Sequence, residues 1–538
     1  SRSHTSSVGM GCAGSKEPEE VAQVGATEKP INGTEVEAAY ASDVKTIAPS
    51  LASKFVQEHN GSARLADVFD LNNSIMLGRG MAGCVRTCAR KGTKDKYALK
   101  SLEIDMLDPQ SLHELRIEID ILRGLDHPHI VRLFETFLDR QNGQLHVVME
   151  LLPGGNLKER IRMHENGYSE ERAAEYIRQM MSSILYCHEH GVCHRDIKLE
   201  NFVFEESSEN SALKLIDFGL AAHVKEGDEE MHDSVGTVPF MAPEVLSSRK
   251  PTYTSACDMW SLGVVAFELL AGSQRRPYAG KSKAEQLRLI DKGPPTLPAG
   301  WSASAADFVT QLLARDPQRR MSARAALDHP WLQQAIANLG AEGTAMRNTA
   351  SKALEKFAKV DGIKQLAAES IAFSMPPAKL AEMRKVFDAY DKDCSGTLSK
   401  LEVMDIFHAQ TTYTDEEIRV IFEQIDTSHN GVVDYIEFLG AMVSLQASPP
   451  EEAVVHAAFA ALDSDGDGAI SSAELVAALG DKGFTEEELR QAGGDGKTID
   501  FDHFKVMIMR RRESLASMAS SQSISTSSIH PVLVEPQS

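Results

Sequence analysis

The first residues along the chain whose spacing could support chemistry form a loop for phosphate groups. Gly78, Gly80 and Gly83 follow the pattern G-x-G-x-x-G-x-V, which ends at Val85. Glycines at these positions let the backbone close over the phosphates of a nucleotide, although the pattern alone is weakly specific. A dinucleotide-binding loop would be followed directly by a helix, whereas here a strand-like segment runs to Lys100. The sequence therefore favours the type of loop in which a lysine on the next strand holds the α- and β-phosphates.

Lys100 needs an anionic partner that fixes its ammonium group. The stretch from Leu115 to Leu122 has the spacing of an amphipathic helix and offers Glu118 for this role. Glu114, one helical turn earlier, is the alternative. The sequence thus predicts an ion pair between the strand that carries Lys100 and the helix that follows it.

The strongest single signal is the segment 194–201, whose sequence is HRDIKLEN. The motif DFG begins at Asp217, 21 residues after Asp196, and the motif APE begins at Ala242. Together with the glycine loop, these ordered motifs resemble the eukaryotic protein kinase family over about 260 residues. The resemblance implies a two-lobed α+β fold with ATP in the cleft between the lobes.

The resemblance also implies a role for each motif residue. Asp196 would orient the substrate hydroxyl and accept its proton, while Lys198 would meet the γ-phosphate, as in serine/threonine kinases. Asn201 and Asp217 would hold the Mg²⁺ ions. The implied catalytic residues are Asp196, Lys198, Lys100 and Glu118.

The adenine site follows from the same resemblance. Met149 and Glu150 lie where the family has its gatekeeper and hinge, so the backbone from Glu150 to Leu152 is expected to hydrogen-bond adenine. Arg320 is expected to pair with Glu244 and to support the scaffold. The implied nucleotide-binding residues are Gly78, Arg79, Gly80, Gly83, Val85, Lys100, Met149, Glu150, Leu152, Asn201 and Asp217.

One departure from the family pattern concerns the substrate. Asn156 stands where many related kinases carry an acidic residue that helps to bind ribose or a substrate arginine. Glu200 is acidic and lies within the segment 194–201. A preference for basic substrates is therefore only half supported.

A second departure concerns activation. The segment 225–230, with the sequence KEGDEE, is acidic by itself, so a fixed carboxylate there could replace the phosphate that Arg195 would otherwise bind. We therefore expect activity without phosphorylation of the activation segment. The alternative is a solvated charge run with phosphorylation at Ser234 or Thr237.

A separate group of residues has the spacing of calcium ligands. An EF-hand loop needs oxygen ligands at positions 1, 3, 5, 7 and 9, a glycine at position 6 and a bidentate glutamate at position 12. Three loops meet this pattern, and the predicted ligands are Asp391, Asp393, Ser395, Thr397, Ser399 and Glu402 in the first; Asp426, Ser428, Asn430, Val432 (through its carbonyl), Asp434 and Glu437 in the second; and Asp463, Asp465, Asp467, Ala469 (through its carbonyl), Ser471 and Glu474 in the third. The third loop has four carboxylates against three in each of the others, so we expect it to bind Ca²⁺ most tightly.

EF-hands work in pairs, and the segment 498–504 resembles the end of a fourth loop. Aligning Ile499 with position 8 places Ala492, Gly494, Gly496 and His503 at positions 1, 3, 5 and 12. This loop has lost its ligands, so we expect a structural partner with Asp495 or Asp500 as weak ligands at best. The residues at position 8 of the other loops, expected to form short paired strands, are Leu398, Val433 and Ile470.

The segment 345–373 between these two groups has the pattern of a basic amphipathic helix. Its apolar residues near helical spacing are Leu354, Phe357, Ile363, Leu366 and Ile371, and its basic residues are Arg347, Lys352, Lys356, Lys359 and Lys364. An EF-hand lobe binds such a helix, and Gly362 is expected to mark a break in it.

The order of kinase, junction and four hands resembles the calcium-dependent protein kinases of plants, algae and protists over about 440 residues. This resemblance implies that the junction inhibits the kinase until calcium-loaded hands seize or reposition it. A plain linker is the alternative. The partners implied are protein substrates with Ser/Thr hydroxyls and the chain's own junction helix, in a monomer.

These patterns divide the chain into five parts. We expect a mobile N-terminal extension at 1–72, a kinase domain at 73–332, the junction at 333–378, an all-α calmodulin-like domain of four hands at 379–510, and a Ser-rich disordered tail at 511–538. The fold class is therefore an α+β kinase followed by an α-helical calcium sensor.

The composition excludes several other classes of protein. A net charge of −22 argues against binding nucleic acid, which needs basic residues to neutralise phosphates. The seven cysteines are scattered without CxxC pairs, which favours a reducing compartment and no disulfide framework. No segment has the roughly 18 apolar residues of a spanning helix, so any membrane contact should be peripheral.

The N-terminal extension contains one sharp signal. The segment from Met10 to Ser15, MGCAGS, fits the N-myristoylation pattern, and Cys12 beside it is a candidate palmitoyl site. Myristoylation of Gly11 requires Met10 to be the true start, with residues 1–9 upstream of it; a chance match is the alternative. We expect a cytoplasmic protein that is membrane-associated if Met10 is the start.

The favoured function is a calcium-activated serine/threonine kinase that uses Mg·ATP. A calcium-responsive scaffold whose kinase-like block only docks partners is the alternative from a different class, and Lys100, Asp196 and Asp217 speak against it. A kinase driven by phosphorylation, with the hands as passive buffers, is the second alternative.

Overall fold

A computed structural model describes residues 50–61, 63–79, 83–224, 231, 235–247, 253–339, 344–408, 413–446, 449–479, 485–492 and 497–508. Several sequence predictions fall outside these residues, namely the acylation motif at Met10, Gly80, the acidic run 225–230 with Ser234, residues 494–496 of the fourth loop and the tail 511–538. None of the helices described is long and apolar enough to cross a membrane.

The first lobe is a seven-stranded sheet with one long helix. Its strands are β1 (Gln57–His59), β2 (Phe69–Asp70), β3 (Met76–Arg79), β4 (Gly83–Arg90), β5 (Lys96–Glu103), β6 (Leu133–Asp139) and β7 (Gln144–Glu150). They lie in the order β1-β6-β7-β5-β4-β2, β3 pairs with β4, and only β1 and β6 are parallel. Its helices are α1 (Leu65–Val68) and α2 (Pro109–Gly124). Helix α2 begins after Asp108 because the carboxylate of that residue accepts hydrogen bonds from two N–H groups of the first turn.

The N-terminal edge of this lobe differs from the expected mobile extension. Leu51 and Phe55 are buried on the 3-10 helix Leu51–Phe55, and the ring of Phe55 lies 5.6 Å from that of Phe373. Strand β1 follows at once and pairs with β6. The prediction of a mobile segment up to residue 72 was therefore wrong from residue 51 onward, because apolar side chains anchor this stretch to the core.

The second lobe is mainly helical, as expected. Its helices are α3 (Leu157–Ile161), α4 (Glu170–Glu189), α5 (Pro243–Leu246), α6 (Ala256–Ala271), α7 (Lys283–Asp291), α8 (Ala303–Leu312), α9 (Ala323–Leu327) and α10 (Pro330–Leu339), and its short strands are β8 (Val192–Cys193), β9 (Phe202–Phe204), β10 (Leu213–Leu215) and β11 (Ala222–His223). Helices α4 and α6 are the most deeply buried and form its core. The predicted scaffold pair is present, with Arg320 Nη1 2.6 Å from Glu244 Oε1.

The junction consists of two helices, α11 (Thr344–Ala358) and α12 (Gly362–Ser374). The predicted break at Gly362 is confirmed, because a new helix starts there under the cap of Asp361. The apolar residues Leu354, Phe357, Ile363, Leu366 and Ile371 are all buried.

The sensor surrounds these two helices. Its helices are α13 (Pro377–Tyr390), α14 (Lys400–His408), α15 (Asp415–Ile425), α16 (Tyr435–Ser444), α17 (Glu452–Leu462), α18 (Ser472–Leu479) and α19 (Glu486–Ala492), and its strands are β12 (Thr397–Leu398), β13 (Val433–Asp434), β14 (Ala469–Ser471) and β15 (Thr498–Asp500). Helix α12 packs most extensively against α16 and α17. The predicted pairing at position 8 is confirmed, since Leu398 lies opposite Val433 and Ile470 opposite Ile499.

The sensor docks on the kinase through buried polar contacts. Arg384 of α13 donates to Glu205 of the second lobe at 2.8 Å, and both side chains are buried. The N–H of Ile436 in the sensor donates to the carboxylate of Asp126 in the kinase at 2.8 Å. Arg178 on α4 donates to the sulfur of Cys394 in the first EF-hand loop at 3.4 Å.

We expect Arg384→Met to destabilise the chain by about 3 kcal/mol, because the buried Glu205 then loses the closer of its two cations and keeps only Lys214, at 3.6 Å. Equilibrium urea unfolding of the full chain measures this loss. Arg419→Met is the matched control, because the ion pairs of Arg419 on α15 are exposed and their loss should be undetectable. Equal stability of both variants would mean that the docked interface does not form in solution.

Candidate functional site

The predicted lysine pair is formed at the inner face of the first lobe. Lys100 on β5 donates to Glu118 on α2 at 2.6 Å. Glu118 is buried on the same helical face as Leu115 and Leu122, while Glu114 is exposed and accepts a hydrogen bond from Gln110. The structure therefore pairs Lys100 with Glu118 and not with the alternative, Glu114.

The glycine loop lies against the strand that carries the lysine. Val85 is directly opposite Lys100 in the β4–β5 pair, and Gly78 is opposite Val85 in the β3–β4 pair. A Cβ atom on Gly83 would lie 1.9 Å from the carbonyl oxygen of Ser101, so only glycine fits there. Arg79, at the end of β3, is exposed. The two described flanks of the loop thus lie beside the backbone of Lys100.

Asp196 lies at the centre of the cleft. Its Oδ1 accepts a hydrogen bond from the hydroxyl of Thr237 at 2.7 Å, and Lys198 donates to its other carboxylate oxygen. The amide of Asn201 donates to the main-chain carbonyl of Asp196 at 2.9 Å. Thr237, one of the two alternative phosphorylation sites, is thus directly bonded to Asp196.

A buried carboxylate on α6 shapes the loop that carries Asp196. Asp258 accepts hydrogen bonds from the N–H groups of His194 at 2.9 Å and Arg195 at 2.8 Å. Arg195 has a left-handed backbone (φ 66°), and its guanidinium donates to the carbonyl of Leu220 at 2.5 Å. Although burial opposes it, hydrogen bonding with His188 helps to lower the pKa of Asp258. An ionised acceptor therefore holds the two amides in place.

Asp217 closes the cleft from the other side. Its backbone is left-handed (φ 66°), and the ring of Phe218 packs 4.9 Å from that of His194. A Cβ atom on Gly219 would lie 3.3 Å from Asp217 Oδ1 and 3.5 Å from Glu118 Oε2. The structure therefore brings Asp217 next to the lysine pair.

The predicted hinge follows β7. Met149 pairs with Ala98 across β5 and β7. The N–H of Glu150 donates to the carbonyl of Arg132 at 3.0 Å, and its carboxylate forms an ion pair with Lys214 at 3.0 Å. Since the side chain and N–H of Glu150 are engaged elsewhere, adenine recognition at this residue is left to its carbonyl oxygen. Leu152 packs against the core.

The three predicted calcium loops fold as closed turns. The glutamate at position 12 accepts main-chain N–H groups of its own loop: Glu402 from Ser399 at 2.8 Å, Glu437 from Ser428 at 2.8 Å and Glu474 from Ser471 at 2.7 Å. Carboxylate oxygens of Asp391, Asp393 and Glu402, and of Asp463, Asp465 and Glu474, lie within 4.8 Å of one another. These distances suit a cation with oxygen ligands.

Several carboxyl groups of the first two loops are buried, and this burial shifts their pKa values. Burial raises the pKa of Asp391 well above its usual range, and the neighbouring Glu402 adds to the effect. Burial likewise raises the pKa of Asp434 and Glu437, and the nearby Asp126 of the kinase adds to that of Asp434. A bound cation would allow all these groups to ionise. The third loop is more exposed, so ionising its carboxyl groups costs less free energy.

The fourth hand has no carboxylates at positions 1 and 12, and its strand β15 pairs with β14 of the third loop. Ala492 is buried and His503 is exposed, and Asp500 accepts the N–H of His503 at 2.8 Å. Asp500 is thus engaged within its own segment.

Sequence reasoning missed two features of the loops. Position 4 is left-handed in all three, at Cys394 (φ 55°), His429 (φ 58°) and Gly466 (φ 72°). Gly466 is the only glycine of the three and is the signal that could have revealed this position. The docking contacts with Asp126 and Glu205 had no local signal at all.

Comparisons with known proteins match both regions. The family model of the protein kinase domain matches residues 71–332, that of the EF-hand domain pair matches 380–443 and that of the EF hand matches 455–479. The chain is 30% identical over 463 residues to calcium-dependent protein kinase 5 of Plasmodium falciparum, covering 84% of this chain and 79% of that protein. It is 32% identical to calcium-dependent protein kinase 11 of Oryza sativa (87% of this chain, 81% of that protein) and 32% identical to calcium-dependent protein kinase 17 of Arabidopsis thaliana (81% and 82%).

The loop geometry predicts the number of bound ions. Isothermal titration of the full chain with Ca²⁺ should show about three ions, and Glu402→Gln should reduce this to about two because the bidentate ligand is lost. Asp405→Asn on the same helix is the control, since Asp405 is exposed and pairs with Lys392. A fourth ion in the wild type would contradict the assignment of the fourth loop.

Proposed function

This chain belongs to the calcium-dependent protein kinases and is a calcium-activated serine/threonine protein kinase, and from that premise we propose that it transfers the γ-phosphate of Mg·ATP to protein Ser/Thr hydroxyls with Asp196 as base. The observation that carries the proposal is that Asp217 lies beside the Lys100–Glu118 pair, while Asn201 joins Asp196 to the same place. The amide of Asn201 donates to the carbonyl of Asp196, and its own main-chain carbonyl accepts the N–H of Ile216, the residue before Asp217.

Each group in the cleft has a defined task. Glu118 holds the ammonium of Lys100, which binds the α- and β-phosphates. Asn201 and Asp217 offer oxygen ligands for Mg²⁺, which neutralises charge on the phosphates when it is bound. The substrate hydroxyl takes the place of the Thr237 hydroxyl on Asp196 Oδ1 and gives its proton there. Lys198 lies beside the same carboxylate and meets the γ-phosphate.

Calcium controls the kinase through the junction. We propose that α11 and α12 inhibit the kinase without Ca²⁺ and are held by the loaded sensor otherwise. The burial of their apolar faces against sensor helices, rather than against the catalytic loop, supports this proposal. To shift the ratio of active to inactive kinase from about 1:99 to 99:1, Ca²⁺ must bind the active state more favourably by roughly 5.5 kcal/mol in total. Divided over three sites, this is about a 20-fold higher Ca²⁺ affinity in the active state at each site.

The decisive experiment compares two neighbouring glutamates of α2 on a mixed pool of Ser/Thr peptides with Mg·ATP. Glu118→Gln should lower kcat/KM by about 100-fold, because Lys100 loses the partner that positions it. Glu114→Gln is the matched control and should retain full activity.

The same assay, in Ca²⁺ buffers from chelator to about 10 µM, tests the switch. Wild-type activity should rise with Ca²⁺, and Asp196→Asn should be inactive throughout. Activity that is independent of Ca²⁺ would remove the switch and leave the hands as passive buffers. A folded, calcium-loaded wild type without any transfer would favour the scaffold function.

We also propose that Gly11 is myristoylated and Cys12 palmitoylated, so that this cytoplasmic, monomeric kinase attaches to membranes. The support is the MGCAGS pattern and the need for two acyl chains in stable anchoring. Protein translated from Met10 with acylating enzymes should float with phospholipid vesicles, whereas Gly11→Ala should stay in solution. Equal flotation of both proteins would contradict the proposal.

A further inference from the structure

One carboxyl group of the junction is buried beside the second calcium loop. Glu369 lies on α12 and is fully buried. Its Oε2 has no hydrogen-bond partner among the described residues. A buried carboxyl group with an unpaired oxygen costs free energy, whereas an apolar side chain at the same position would not. The packing of α12 against the sensor therefore does not by itself explain why a glutamate lies here.

The other oxygen of Glu369 reaches the second loop through Thr427. The hydroxyl of Thr427 lies 2.9 Å from Glu369 Oε1 and 3.0 Å from Glu437 Oε1. Glu437 is the predicted bidentate ligand at position 12, whereas Thr427 stands at position 2 and is not a predicted ligand. One hydroxyl thus connects the junction with a calcium ligand. We call Glu369, Thr427 and Glu437 the junction bridge.

Close helix packing holds the junction end of this bridge in place. Gly440 follows Glu437 by three residues on the same helix, α16. A Cβ atom on Gly440 would lie 2.7 Å from Glu369 Cγ and 3.2 Å from its Cα, so α12 approaches α16 this closely only because residue 440 is glycine. The helix that carries the calcium ligand therefore also fixes the position of Glu369.

The residue at position 2 has other surroundings in the first and third loops. In the third loop, the hydroxyl of Ser464 donates to Glu474 Oε1 at 2.9 Å, and Ser464 is exposed. In the first loop, position 2 is Lys392, whose ammonium pairs with the exposed Asp405. Ser464 thus makes the equivalent contact with its glutamate at the surface, whereas Thr427 makes it beside a buried residue of the junction.

We propose that Glu369 is a positioning residue of the second calcium site, because it holds the Thr427 hydroxyl against Glu437 and so fixes the orientation of this ligand. Groups that orient a metal ligand from behind raise the affinity of the site, commonly by about tenfold or more. The second loop should therefore bind Ca²⁺ more tightly when α12 is docked. Because such coupling is reciprocal, Ca²⁺ in this loop holds α12 on the sensor by the same factor.

This inference rests on the proposed calcium switch and specifies which loop acts directly on the junction. The third loop orients its glutamate through Ser464 at the surface, so we expect it to add to the affinity for Ca²⁺ without acting on α12 through such a bridge.

The test is a double-mutant cycle on the full chain, in which Ca²⁺ binding is measured by competition with a chromophoric chelator. Thr427→Val and Glu369→Met should each lower the product of the Ca²⁺ association constants by about tenfold, because each breaks the junction bridge. The double variant should lose no more than either single variant, since both changes remove the same contact. Glu369→Gln should bind as the wild type does, because its amide can donate to the Thr427 hydroxyl, which then donates to Glu437.

Ser464→Ala is the matched control, since it removes the equivalent hydroxyl from the third loop. Its effect on Ca²⁺ binding should add to that of Glu369→Met. Amide hydrogen exchange in the calcium-loaded chain is the second measurement. Exchange in α12 should be about tenfold faster in Thr427→Val and unchanged in Ser464→Ala.

Three results would overturn the inference. They are unchanged Ca²⁺ binding in Thr427→Val or Glu369→Met, additive losses in their double variant, and equal exchange of α12 in Thr427→Val and Ser464→Ala. Failure of the proposed switch would instead appear as phosphate transfer that is independent of Ca²⁺. The binding cycle still decides in that case, because it requires no phosphate transfer.

Discussion

The docked sensor depends on carboxyl groups that are buried without a cation of their own. Asp391 and Glu437 are predicted ligands of the first two loops, and burial raises the pKa of both. Asp434 lies close enough to Asp126 of the kinase for the charge of Asp126 to raise the pKa of Asp434 further. The two positive charges of a Ca²⁺ ion at each loop would offset the cost of ionising these buried carboxyl groups, at the place where the sensor meets the kinase. Metal binding and docking are therefore parts of one equilibrium.

A second electrostatic element extends from this interface to the nucleotide site. Arg384 of the sensor pairs with Glu205 at 2.8 Å, Glu205 lies 3.6 Å from Lys214, and Lys214 lies 3.0 Å from Glu150 in the hinge. All four side chains are buried, so each depends on its neighbour for charge compensation. The position of α13 is thereby coupled to Glu150, the predicted hinge residue.

Local spacing was sufficient to predict particular contacts between side chains and between strands. Glu118 follows from the inward face of one helix, and Ile499 follows from the alignment of one loop with its partner. Contacts between distant segments left no such pattern. Arg384 and Glu205 are 179 residues apart, and Thr237 reaches Asp196 across 41 residues. Those contacts depend on how the lobes and the sensor pack, which no periodicity along a single element encodes.

In a chain with net charge −22, the presence of acidic residues does not by itself identify a ligand site. Glu268 has Arg276 and Glu200 has Lys158, so their charge is compensated within the fold. No cation of the described residues forms an ion pair with Asp391, and its carboxylate accepts only main-chain N–H groups of its own loop. A carboxylate that is compensated gains little from an external cation, whereas one that is not gains the full interaction. The same physical rule thus distinguishes the predicted calcium loops from acidic side chains whose charge the fold already compensates.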